Sequence, residues 1–198
     1  MKTRTFWVFT LLCLVSCEKV THNNEEDVNP NRVVELKLNN GKYEVICNPI
    51  KEEVFNNTFN LGWECTSVND VFPDGSIGEN YKTMMVMVGS SIGFNRFSIL
   101  PDSKMKVYFS FDDFRGTTYS YYYATFKYNE EGNTLSLIGY SPEIVGCVIS
   151  LTETEFDMVI PLWGEPYSKE DAIYTICRFK KLSEENIKEL DQKYNNSI

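Results

Sequence analysis

One histidine, His22, is all the imidazole in this 198-residue chain, and it lies in the polar stretch EKVTHNNEEDVNPN, residues 18–31. Ser-His-Asp and Cys-His catalysis need an imidazole within hydrogen-bond reach of the nucleophile, and zinc hydrolase sites rely on histidine almost throughout. A histidine outside the periodic part of the chain serves neither. There is no glycine-rich phosphate loop. None of the six cysteines stands in a C-x-x-C pair, which removes the zinc-ribbon and thioredoxin patterns. Residues 70–80 resemble a calcium loop but miss its third and last ligand positions, so no metal is assigned. Asp112 and Asp113 are adjacent, and on a strand adjacent side chains take opposite faces. Two glycosidase carboxylates must instead flank one bond, about 5–9.5 Å apart. The expectation is a protein with no catalytic residues and no cofactor. Positive charge is also short, with 19 Lys and Arg against 28 Asp and Glu. Nucleic acid is therefore a poor partner, since its phosphates must be neutralised by basic side chains.

No apolar run reaches the roughly 20 residues that span a bilayer. Residues 5–15 form a shorter one behind Lys2 and Arg4, which is the size of a signal-peptide core. It closes on Leu14-Val15-Ser16-Cys17, which resembles the bacterial lipobox, where cleavage falls ahead of a cysteine that receives diacylglycerol. The implied organisation is a lipoprotein signal peptide over residues 1–16, lipid attachment with palmitate-type chains at Cys17, a flexible acidic linker over 17–31 and one domain over 32–198. Taking 16 residues from 198 leaves 182, a one-domain length, and losing Lys2 and Arg4 moves the net charge from −9 to −11. Anionic head groups would repel such a surface, so lipid must supply the attachment, and several acyl chains on one cysteine hold firmly. The acidic stretch after Cys17 looks like the outward-export signal of some Gram-negative surface lipoproteins. The expected address is the cell envelope, as an outer membrane lipoprotein, surface-exposed where that stretch acts as the signal.

What the chain does have is aromatic residues, 12 Tyr and 13 Phe, in alternating patterns that suit half-buried strands. Val34, Leu36 and Leu38 lead to Asn39-Asn40-Gly41, a tight hairpin turn, and return as Tyr43, Val45 and Cys47. Asn48-Pro49 reads as the cap and first turn of a short helix. Trp63 and Cys65 share a face, as do Phe97 and Ile99, and Met105, Val107, Phe109 and Phe111. The long strand over 117–128 sets Tyr122, Ala124, Phe126 and Tyr128 against Tyr119, Tyr121 and Tyr123. Further inward rows are Val145, Cys147, Ile149 and Leu151, then Phe156, Met158, Ile160 and Leu162, then Ile173, Thr175, Cys177 and Phe179. Ser183 caps a closing helix that packs on the sheet through Ile187, Leu190 and Tyr194.

Successive hairpins with one apolar face predict an all-β, antiparallel up-and-down β-barrel, because closure removes exposed edges. The short helix precedes its first long strand. The Val34–Cys47 hairpin is extra to eight strands. Gly62-Trp63 at the start of that strand, the Tyr-rich strand followed by Leu135-x-Leu137, Ile149-Ser150-Leu151-Thr152 with Phe156 and Met158, and Cys177-Arg178-Phe179 are matching features. On these the chain resembles the lipocalin-like lipoproteins of Gram-negative gut bacteria, over roughly residues 59–182. The resemblance implies a β-barrel holding a small apolar ligand, or a derivative that has lost the cavity. Trp63, Met85, Phe97, Phe109, Phe126 and Met158 are the candidates to line it. The same side chains would equally fill the barrel, since eight strands enclose just enough room for side chains or one small ligand. The alternative is a surface module in which Tyr119, Tyr121 and Tyr123 recognise a glycan or a protein, unless the closing helix covers them.

Cys13 leaves with the signal and Cys17 is taken by lipid, so Cys47, Cys65, Cys147 and Cys177 remain, with three pairings open. Barrel closure sets residues 63–68 beside 173–179. Cys65 and Cys177 are then expected inside and near one another, bridged in an oxidising compartment, with Cys47 and Cys147 as the second pair. Four buried free thiols acting as small hydrophobes are the other outcome.

Overall fold

Wherever apolar and polar residues alternate in the sequence, the chain is extended. The structure, a computed structural model, describes residues 34–80, 95–114, 116–139, 143–162 and 171–195. Strands β1 (Glu35–Asn39) and β2 (Lys42–Ile46) form a hairpin whose turn residues, Asn40 and Gly41, both have positive φ. Helix α1 (Glu52–Thr58) leads into β3 (Gly62–Val71), β4 (Ile77–Asn80), β5 (Arg96–Leu100), β6 (Lys104–Asp113) and β7 (Gly116–Asn129). Strands β8 (Thr134–Ile138), β9 (Ile144–Leu151), β10 (Glu155–Pro161) and β11 (Tyr174–Lys181) follow, and α2 (Glu184–Asn195) closes the order. Signal segment, Cys17, acidic linker and Met85 lie outside the described residues.

The fold is an all-β barrel. Strands β5 to β11 pair antiparallel with their sequence neighbours, β3 pairs β5, and β11 returns to β3, so eight strands close. Strand β4 covers the rest of that edge of β3. At the closure Cys177 opposes Val68 and Phe179 opposes Cys65, the register slipping by one residue between Arg178 and Phe179. The slip is a β-bulge, which leaves one residue unpaired and bends the strand.

A second bulge changes which side chains face inward. Leu151 opposes Phe156, but Val148 opposes Met158, so Ile149 is the extra residue on β9. The inward row is therefore Ile144, Gly146, Val148 and, past the bulge, Leu151. Val145 is exposed, and Ile149 packs with an outer cluster. This corrects the unbroken row expected of Val145, Cys147, Ile149 and Leu151: one inserted residue reverses the phase of a period-two pattern. Gly146 lies where any side chain would collide, since a Cβ would sit 2.6 Å from Met158 Cε.

The extra hairpin is a second layer outside the barrel. Val34, Leu36 and Val45 pack with Val71, Ile149, Val159, Ile176 and Tyr174 from the outer face of the wall, and the Tyr174 hydroxyl donates to the Tyr43 carbonyl. Asn48 and Pro49 do not start a helix. They sit in the strap ahead of α1, whose first turn is capped from a distance instead. Glu130 accepts from the Glu52 N–H at 3.0 Å and from Lys51 Nζ at 2.7 Å. Ser183 does cap α2, its Oγ accepting from the Asn186 N–H at 3.1 Å. Asp112 and Asp113 end β6 opposite Thr117 and Gly116, consecutive on one strand.

Candidate functional site

Helix α1 closes one end of the barrel. It is only seven residues long, too short to be stable alone in water, and it is held by what Phe55 and Phe59 bury. Phe59 stacks on Trp63 with centroids 5.9 Å apart and meets Phe126 and Phe156 edge-on at 5.2 and 5.4 Å. Phe55 stacks on Tyr128 at 3.9 Å, and Phe156 on Phe179 at 4.4 Å. The Tyr128 hydroxyl donates to the Ile50 carbonyl at 2.8 Å, tying the strap to the wall. Asn133 does the rest. Its Oδ1 accepts from the Ile50 N–H at 2.9 Å and its Nδ2 donates to the Asn48 carbonyl at 2.6 Å.

The other half of the lumen is different. Along one inward face of β6, Met105 and Val107 are fully buried while Phe109 is 36% exposed. Its ring lies 5.9 Å from that of Tyr122. Tyr122, Ile144 and Ile160 also face inward and are half-buried. Thr175 and Asp70, opposite one another on β11 and β3, add polar positions to this half. Among the described residues, then, the inward side chains of this half are less completely buried than those beneath α1.

The expected lining residues divide between these halves. Trp63, Phe97 and Met158 are core side chains, and Phe126 packs under Phe55 and Phe59. Phe109 alone of the described candidates reaches the less buried half. Tyr122, Ile144 and Ile160 join it there; Tyr122 and Ile160 continue inward rows read from the sequence, whereas Ile144 is out of phase with the row expected from Val145.

On the outer wall α2 packs against β6 and β7. Tyr194 is buried edge-on to Tyr108 and Tyr119, at 5.3 and 5.2 Å. Tyr119 and Tyr121 are half-covered, each with an ammonium over its ring, Lys193 at 4.2 Å and Lys106 at 4.1 Å. Tyr123 is 62% exposed. It edges a surface groove of about 460 Å³ between the wall and α2, with Leu61, Ile99 and Ile187 as apolar lining and Lys106 and Asp191 in its floor.

Cys65 and Cys177 are both fully buried in the barrel core, offset by the register at the closure, and no disulfide joins them. Burial, with Cys65 nearby, pushes the Cys177 thiol well above its ordinary range. Cys47 and Cys147 are likewise unbridged and are half-buried, with sulfurs 3.2 Å apart. Among the described residues no group of three or more His, Cys, Asp or Glu converges as a metal site would. Comparison of the chain with protein-family models and with curated proteins finds no match in either.

Proposed function

We propose that this chain is a lipid-anchored protein of the cell envelope that holds a small hydrophobic or amphipathic molecule in the less buried half of its barrel. The observation that carries this reading is the step from fully buried Val107 to 36%-exposed Phe109 on one inward face. Fully burying an exposed Phe is worth about 1.5–3 kcal/mol, so covering the part of Phe109 that is still exposed would contribute roughly 0.5–1 kcal/mol toward an apolar guest. The aromatic base supports the same reading, because it confines any guest to the half of the barrel away from α1. The lipobox-like Cys17 supports the anchor, and with it a place in the outer membrane.

Two measurements test it. Native mass spectrometry of mildly purified protein should show a non-covalent adduct, and a fluorescent fatty-acid analogue should bind at least tenfold more weakly to Phe109→Arg. A clean apo mass with no probe binding would reject the carrier role. Labelled palmitate should enter the wild type and not Cys17→Ser, and labelling of both would reject the anchor.

The groove beside Tyr123 favours a second reading, a surface module that stacks a sugar ring or a partner's side chain there. Glycan-array binding lost in Tyr123→Ala would support it, and binding unchanged by that substitution would remove this site.

A further inference from the structure

The bulge at Ile149 turns Cys147 outward, toward the strap that joins the β1–β2 hairpin to α1. Cys47 stands at the start of that strap, and the two sulfurs are 3.2 Å apart, across 100 residues of chain. That is hydrogen-bonding distance for two thiols, roughly 1 Å longer than a disulfide bond of about 2.05 Å. The pair is held from both sides. Asn133 Nδ2 donates to Cys47 Sγ at 3.2 Å, and Cys147 Sγ donates to the Gly132 carbonyl at 3.5 Å. Both residues are half-buried, so a small oxidant has access. The barrel-core pair lacks that access: Cys65 and Cys177 are fully buried, and the Cys65 thiol is turned to the Ser67 carbonyl at 3.5 Å.

We propose that Cys47 and Cys147 are a redox-responsive pair whose disulfide staples the α1 strap to the barrel wall. The oxidant is another disulfide, either small like oxidised glutathione or carried by a thiol–disulfide oxidoreductase. One cysteine thiolate attacks a sulfur of that disulfide, breaks its S–S bond and releases one thiolate, leaving a mixed disulfide. The second cysteine, as thiolate, attacks the protein-side sulfur and expels the remaining thiolate. The protein gives up two electrons and two protons, and the reagent is reduced to two thiols. The staple closes a long loop of the unfolded chain, which is where cross-links gain most. It also fixes the segment carrying Ile50, whose backbone is already gripped by Asn133 and Tyr128. The proposal does not depend on what the lumen holds.

The test is equilibration of the whole protein in glutathione buffers of rising oxidised fraction, then acid quench, alkylation and non-reducing peptide mapping. The expected result is a Cys47–Cys147 cross-linked peptide, with Cys65 and Cys177 alkylated only after denaturation. The oxidised form should melt about 5–15 °C higher than the reduced form. Cys47→Ser and Cys147→Ser should each abolish that shift, and Cys65→Ala should keep it. A Cys65–Cys177 bridge in place of this one would overturn the proposal. So would glutathione adducts that never resolve, or a cross-link that leaves the melting temperature unchanged.

Discussion

Phe59 lies across Trp63 with ring planes 17° apart, and both side chains are almost completely buried. Phe59 is the C-cap residue of α1, and Trp63 stands at the start of strand β3 in the barrel wall, so this contact joins plug to barrel. Phe59→Ala should cost about 3–5 kcal/mol, the range for a large buried aromatic. Urea denaturation measures it directly, and the melting temperature should drop by about 2–4 °C per kcal/mol. A cost under 1 kcal/mol would mean that α1 is not part of the core.

Asn133 is buried, has φ 50° and holds the strap through the Ile50 N–H and the Asn48 carbonyl. Asn133→Ala leaves these groups without partners, at about 1–3 kcal/mol each, and forces a Cβ-bearing residue without a compensating side chain into the left-handed region. The expected loss is about 3–6 kcal/mol. Asn133→Gly removes the same hydrogen bonds but relieves the backbone, so it should be the milder variant by about 1 kcal/mol. Equal losses in equilibrium unfolding would show that the positive φ carries no strain here.

How much of this was legible in the sequence follows from the range of each signal. The barrel, its closure by β3 and β11, and the Ser183 cap were readable because alternation and capping are local. The phase of β9 was not, because the bulge at Ile149 arises from pairing with β10 and no residue type announces it. The α1 cap was missed for a similar reason: Asn48 and Pro49 form a good local start, yet the Glu52 N–H is taken by Glu130, 78 residues away. Outside β9, sequence marked which side chains face the lumen. Whether each one fills the interior or stays wet depends on how far along the barrel axis it sits from the Phe55–Phe59 plug.

Burial pushes the Tyr128 phenol up to about 12 from its ordinary 10.0, and nearby Glu130, Cys47 and Cys147 add to the rise. The folded value lies above the unfolded one. The stability this group contributes is therefore fully present below about pH 10 and is lost as pH rises from there toward 12. Tyr128→Phe should cost about 1 kcal/mol at neutral pH, through the lost bond to the Ile50 carbonyl. The gap between wild type and variant should then narrow above about pH 10. Urea midpoints at neutral pH and near pH 11 check this, and a gap that widened would contradict the burial assigned to this phenol.

Lys106 faces outward from β6 yet is only 7% exposed, because α2 covers it. Its Nζ is 2.5 Å from Asp191 Oδ1 and 3.0 Å from Asn195 Oδ1, and sits over the Tyr121 ring. Asp191 also accepts from the Tyr108 hydroxyl at 2.9 Å. Removing either partner is not symmetrical. Asp191→Ala leaves a covered ammonium with only an amide oxygen and a ring, at an expected cost of about 2–4 kcal/mol. That is below the roughly 3–5 kcal/mol for breaking a fully buried pair, because the Asp191 side chain is 40% exposed. Lys106→Met leaves a carboxylate that water still reaches and that keeps its tyrosine donor, so about 1 kcal/mol is expected. The double variant should restore part of the loss, with a coupling energy of about 1–3 kcal/mol in a double-mutant cycle. A coupling below about 0.5 kcal/mol would mean that water screens the pair, and that apolar contacts through Ile187 and Tyr194 alone seat α2 on the barrel.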